Sequence, residues 1–146
     1  MDLRDHEQVR PNPDLARRLI ANTTGVLGAI VAGPFGLVHA DLHEENILDD
    51  EGRLTLIDFG GALVGPLAWE YASFAYFAGW QAGDALLDAS VDGANTAAMR
   101  EQASALGLAF GVYRWRWERV RESHEDDYHA TFLESTLTRL AGSTSA

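Results

Sequence analysis

Two short polar clusters, separated by what reads as a turn between two strands, constrain this chain more than any other feature. The first is His39-Ala40-Asp41-Leu42-His43-Glu44-Glu45-Asn46, and the second, twelve residues after Asn46, is Asp58-Phe59-Gly60. Between them Asp49-Asp50-Glu51-Gly52 is a turn signal, and Leu54-Thr55-Leu56-Ile57 alternates like a strand. Ile47-Leu48 and Leu54–Ile57 are therefore expected to form a small hairpin. Such a hairpin returns Asp58 to the octet and leaves the polar groups on loops held by short strands.

The residue types brought together suit phosphoryl transfer, in which a protein positions groups and offsets charge rather than doing covalent work. One carboxylate must lie beside an acceptor hydroxyl to orient it and take its proton, and Asp41 is the candidate. Magnesium prefers a few hard oxygen ligands; Asp58 offers a carboxylate and Asn46 a carbonyl oxygen. The nearest chemical rival is a metal-dependent hydrolase, because His39-x-Asp41-x-His43 presents three metal-capable side chains. That rival leaves Asn46 and Asp58-Phe59-Gly60 unexplained, and two further histidines, His124 and His129, lie far off in a predicted helix.

Outside the clusters the pattern is helical. Asn12-Pro13-Asp14 is a helix start, with Asn12 as N-cap and Pro13 at the first helical position. That helix is expected to turn Leu15, Ile20, Val26, Leu27 and Ile30 inward and to end near Gly33-Pro34, with Thr23-Thr24-Gly25 as a place for an interruption. Residues 67–81 are apolar nearly all round, the mark of a helix buried in a larger core. Gly83-Asp84 and Asp92-Gly93 read as connections, with a short helix over 84–90. A long helix is predicted from Thr96 to about Arg121, carrying Met99, Leu106, Phe110, Tyr113 and Trp117 along one stripe, and a final helix from His124 to Leu140. The fold class expected is α+β and mostly helical. Residues 1–11 form a flexible N-terminus, 12–141 one domain (catalytic segment 37–61, central helix 67–81, helical substrate region 94–141), and 142–146 a flexible tail.

At 146 residues the chain suits one domain able to bury roughly 68–70% of its unfolded surface. A net charge of −11 excludes nucleic acid and anionic membrane surfaces as natural partners. The most apolar early stretch, Gly25–Val38, is broken by Gly33, Pro34 and Gly36 and falls short of the roughly 20 residues a span needs. With no cysteine and no visible leader, a cytoplasmic protein is expected. Tyr113-Arg114-Trp115-Arg116-Trp117-Glu118-Arg119 mimics a basic aromatic patch. On a helix it splits into packing tryptophans and arginines that pair with acids. Glu118, Glu122, Glu125, Asp126 and Asp127 read as solvated helix ends, with a pocket for a cationic substrate as the alternative.

The pattern His-x-Asp-Leu-His-x-x-Asn-Ile-Leu, then Leu-Ile-Asp-Phe-Gly, then Gly65-Pro66 and Trp69-Glu70-Tyr71-Ala72, resembles the aminoglycoside phosphotransferase and choline-kinase-like enzymes. The resemblance is tight over residues 37–80. It implies a protein-kinase-like fold and transfer of the γ-phosphate of ATP (or GTP), with Mg2+, to a hydroxyl of a small molecule, in some members as antibiotic resistance. It makes Asp41 the catalytic base, Asn46 and Asp58 the magnesium ligands, and His43 a contact to phosphate. His39, Gly60 and Glu70 become structural supports of the site, although the family often has Asp where Glu70 stands, one methylene shorter.

The same resemblance exposes what these residues do not hold. All eleven cationic residues are arginines, so no phosphate-contacting lysine is present, and there is no Gly-x-Gly-x-x-Gly. Residues 1–36 are too few for a five-stranded lobe. The expectation is a kinase-like C-lobe alone, weak or inactive by itself, its nucleotide lobe supplied in trans or its exposed surface inviting self-association. The alternative is a non-catalytic C-lobe remnant that acts as a binding module.

Overall fold

The computed structural model describes residues 12–91, 93–120 and 126–143. The expected flexible N-terminus, His124 and residues 144–146 lie outside the described residues. Helix α1 (Pro13–Ala21) opens as its sequence dictates: Asn12 Oδ1 accepts from the Asp14 N–H at 2.9 Å, with Pro13 in the first turn. Asn22 stops it, its side chain donating to the Arg18 carbonyl at 2.9 Å, and α2 (Thr23–Val31) follows. The break re-aims α2. Ala29 faces α5 (Gly93–Val120), where Gln102 donates to the Ala29 carbonyl at 2.7 Å and also to that of Ala32. Leu15 is buried and Val26 packs beside it, but Ile20, Leu27 and Ile30, expected inside, are exposed.

Four strands form two antiparallel ladders. β2 (Ile47–Asp50) pairs with β3 (Arg53–Leu56) in the register Ile47↔Leu56 to Asp50↔Arg53, the expected hairpin. Its two-residue loop puts Glu51 at φ 52° and Gly52 at φ 87°, the left-handed pair that a right-twisted hairpin demands. Asp49 Oδ1 accepts from the Gly52 N–H at 2.8 Å. Ile57 falls just beyond β3. The other ladder, β1 (Phe35–Val38) with β4 (Leu63–Pro66), joins segments too far apart for a local pattern to announce. It clasps both ends of the segment that holds the two polar clusters, and the Leu67 N–H donating to the Pro34 carbonyl at 3.0 Å closes it.

The core lies among the helices. α3 (Ala68–Ala78) buries Ala68, Ala72, Ser73, Ala75 and Tyr76, as an all-round apolar helix must. It ends at Gly79, whose φ of 84° suits glycine, and α4 (Trp80–Ser90) follows. The connection expected at Gly83-Asp84 is absent. Gly83 lies inside α4 because a Cβ there would come within 2.8 Å of Ala75 Cβ, so close packing rather than a turn requires it. Along α5, Met99, Leu106 and Phe110 are buried as the stripe predicts, whereas Tyr113 and Trp117 are exposed and stack on each other at 6.4 Å. α6 (Asp126–Ser143) packs on α5 through Phe132, Leu133 and Leu137, and includes Gly142 and Ser143, assigned by sequence to the tail. Among the described residues no helix is long and apolar enough to cross a membrane.

A charged cluster ties the last helices together. Asp84 accepts from Arg100 Nε at 3.0 Å and from Arg139 Nη1 and Nη2 at 2.8 and 2.6 Å. Arg139 also lies over Trp80, 4.7 Å from the ring centre. Partial burial pushes the Asp84 carboxyl up, but the hydrogen bonds from Arg139 and Arg100 outweigh it and hold the group below the usual carboxylate range. A carboxyl with a lowered native pKa stabilises the fold above its unfolded value, near pH 4, and loses that contribution as pH falls through the native value. Asp84→Asn is therefore expected to cost about 1–2 kcal/mol at neutral pH, discounted for partial exposure. The gap to wild type in urea melts should close in acid; a gap constant down to about pH 2 would contradict this account.

Candidate active site

The site is built around the backbone of Ile57. Its N–H donates to the Asn46 carbonyl at 3.0 Å, carrying the hairpin pairing one step beyond β3. Its carbonyl accepts from His39 Nε2 at 2.7 Å. Residues from both ends of the octet thus clamp the peptide from which Asp58 emerges. His39 is buried, and its ring lies 4.7 Å from that of Phe59. Asp58 follows in the left-handed conformation, φ 57° and ψ 61°, and its Oδ1 accepts from the Gly60 N–H at 3.3 Å. This backbone is costly for a non-glycine residue and bends the chain sharply toward Asp41. A Cβ on Gly61 would stand 3.9 Å from Asp41 Cβ and 3.6 Å from the His39 carbonyl.

Glu70, in the first turn of α3, holds the other side. Its Oε1 accepts from the His39 N–H and its Oε2 from the Ala40 N–H, each at 3.0 Å. The extra methylene relative to the family's Asp is taken up in reaching both amides at once. Ala40 sits at φ 65°, so the octet too carries a left-handed non-glycine residue.

Asn46 is buried and donates from Nδ2 to the Asp41 carbonyl at 2.9 Å and to His43 Nε2 at 3.0 Å. With that amide donating, His43 Nε2 is an acceptor, 3.7 Å from Asp41 Oδ2 and too far to hydrogen-bond it. The His43 ring also rests 4.8 Å from Phe77. Spending the amide nitrogen inside the loop leaves the side-chain oxygen, Asn46 Oδ1, as its hard donor. Together with the exposed Asp58 carboxylate this fits magnesium, which keeps several waters and takes few protein oxygens. The donors do not suit zinc. His39 Nε2 is spent on Ile57, and among the described residues no three His, Asp or Glu side chains gather to hold a metal.

The charge run Glu44, Glu45, Asp49, Asp50, Glu51 is exposed throughout. Of the acids that might have lined a pocket for a cation, Asp127 is exposed; Glu122 and Glu125 lie outside the described residues, as do the side chains of Glu118 and Asp126.

One residue that the motifs did not single out reaches the site. Arg114 Nη1 of α5 stands 3.4 Å from Asp41 Oδ1. Its signals in sequence are the basic aromatic segment, whose arginines are expected to pair with acids, and its place one helical turn beyond Phe110. It lies on two clefts. One, of about 420 Å³, holds Asp41, Gly61, Trp69, Tyr113 and Trp117; the other, of about 520 Å³, holds His43, Glu45 and Phe74. A third cavity of about 480 Å³, among α2, α5 and α6, is lined mostly by small and apolar side chains, with Asn22, Glu101 and Gln102 as its polar groups, and contains no motif residue.

No curated protein and no solved structure matches the chain. A family model for phosphotransferase enzymes matches residues 2–122, from before α1 to the end of α5, and so takes in both polar clusters, Glu70 and Arg114. The chain belongs to the phosphotransferase enzyme family, the aminoglycoside phosphotransferase-like enzymes that its motifs resemble.

Proposed function

We propose that these residues form the metal- and acceptor-binding half of an ATP- and magnesium-dependent phosphotransferase, arranged as a protein-kinase-like C-lobe, acting on a hydroxyl of a small molecule. The observation that carries the reading is the clamp on Ile57, which ties the residue before Asp58 to the Asn46 backbone carbonyl and to His39, while a Cβ on Gly61 would stand 3.9 Å from Asp41 Cβ. In this reading Asp41 orients the acceptor hydroxyl and takes its proton on the carboxylate. Asp58 and Asn46 Oδ1 hold magnesium, which when bound neutralises phosphate oxygens. His39 and Glu70 support the loop from behind. His43, whose Nε2 stands 3.7 Å from Asp41 Oδ2, contacts the transferred phosphate in this reading.

The lysine and glycine-rich turn that cradle nucleotide in such enzymes are not among these residues. Exposed apolar side chains that a second lobe would cover are Leu54 and Leu56 on one face of the hairpin, Leu48 on the other, and Ile57 and Phe59 just beyond it. Turnover by these residues alone is accordingly expected to be slow, because the positioning and charge of that lysine are missing.

Calorimetric titration with magnesium plus ATP tests the reading. Wild type should show weak, magnesium-dependent binding, and Asp58→Ala should weaken it by about tenfold or more, at least what loss of an outer-shell partner of a metal ligand costs. Superimposable curves for the two proteins would end the proposal.

A further inference from the structure

Arg114 is held by more than its partner Asp41. Its guanidinium lies 5.1 Å from the centre of the Phe77 ring and 5.8 Å from that of Tyr76, so two aromatic faces fix it. Its side chain is 20% exposed and that of Asp41 37%, so the pair faces the cleft rather than open solvent. On the Asp41 side, that cleft is walled by Trp69, Tyr113 and Trp117. A carboxylate, a guanidinium and three aromatic rings therefore share one opening.

We infer that this cleft takes the acceptor and that Arg114 sorts acceptors by charge, favouring an uncharged hydroxylated ring of the saccharide class over polyamine sugars and quaternary ammonium compounds. The inference rests on the phosphotransfer reading above and gives it a substrate class. A cation entering toward Asp41 meets a carboxylate that already has Arg114 Nη1 3.4 Å from its Oδ1, so repulsion from the guanidinium offsets much of the attraction. Of the acids beside the loop, Glu70 is spent on the His39 and Ala40 N–H groups and Asp58 is the proposed magnesium ligand, and charges more than about 8 Å away are screened at physiological ionic strength. An uncharged ring loses nothing to the pair. It lays its C–H face on Tyr113 and Trp117 and turns edge hydroxyls to Asp41, the division of labour usual in pockets with apolar walls and few polar groups. The same rings attract an isolated cation. Choline is thus the sharpest competitor, opposed by Arg114 and favoured by everything else around it.

The test follows the indole N–H signals of Trp69 and Trp117 by NMR while maltose, kanamycin and choline are titrated separately into wild type, Arg114→Gln and Arg114→Lys. Wild type should bind maltose more tightly than either cation. Arg114→Gln should raise the affinity for both cations by about tenfold or more and leave that for maltose within about threefold, whereas Arg114→Lys should keep the wild-type order. The wild-type ranking stands as a test even if a variant fails to fold. Cations bound as tightly as maltose, no maltose binding at the two indoles, or cation affinities unmoved in a folded Arg114→Gln would each overturn the inference. Magnesium–ATP titration of the same samples reports separately on phosphotransfer: its failure with the acceptor ranking intact removes that reading alone, and the reverse removes only the role given to Arg114.

Discussion

Replacing Glu70 by Ala is expected to destabilise the protein by about 3–5 kcal/mol and to release the octet. The carboxylate accepts from two successive N–H groups, those of His39 and Ala40, and both bonds are charge-assisted. Each such bond contributes about 1.5–3 kcal/mol, and removing the acceptor strands the His39 N–H in a residue that is only 2% exposed. Ala40 adds to the effect, since its left-handed backbone persists only while its surroundings hold it there. Urea unfolding should register the loss. Amide hydrogen exchange at His39 and Ala40 should speed up beyond what the global change explains. Glu70→Asp, too short to reach both amides, should behave more like Ala than its conserved charge suggests. Slow exchange at the two amides in Glu70→Ala would show that the loop stands without α3.

Phe110→Ala should cost a similar amount, about 3–5 kcal/mol, through a different cause. Phe110 is fully buried, with Trp69 edge-on at 5.5 Å and Tyr76 at 5.3 Å, and Phe77 at 6.3 Å. Truncation leaves a cavity beneath the two rings that carry Arg114, so packing and site are coupled. For a chain of this length about 4 kcal/mol lowers the melting temperature by roughly 10 °C. The accompanying sign is loss of order in the Arg114 guanidinium, read from its Nε–H signal. Phe110→Leu, which keeps most of the volume, should recover more than half of the stability. If Phe110→Ala melted within a degree or two of wild type, the core would not be where the packing puts it.

The parts of the molecule legible in the sequence are those encoded within a few residues. The Asn12 cap, the Asp49–Gly52 turn with its hairpin and the buried nature of α3 all rest on local propensity or a short apolar period. So does the gathering of the two polar clusters, because a hairpin has to bring its ends together. Misread features all depend on what another element does. Gly79 and Gly83 look alike as letters. One ends a helix through its positive φ, while the other is packed against Ala75. Ile20, Leu27 and Ile30 have the spacing of a core stripe, yet the break at Asn22 turns α2 so that Ala29 meets α5 instead. The β1–β4 ladder needs Phe35–Val38 to find Leu63–Pro66, a pairing set by the closure of the whole segment between them.

What the sequence by itself determined is the chemistry on offer: two carboxylates, an amide and two histidines on a hairpin frame, within a chain without lysine. The tertiary structure alone decided how those groups are held and what faces them. Packing of α3 against the octet made Glu70 a double acceptor, and α5 carried Arg114 across seventy-three positions to within 3.4 Å of Asp41. The physical reason is range. Propensity and periodicity act within a turn or two of the chain, whereas the charge beside Asp41 is set by the packing of α5 on α3, which no short stretch of sequence records.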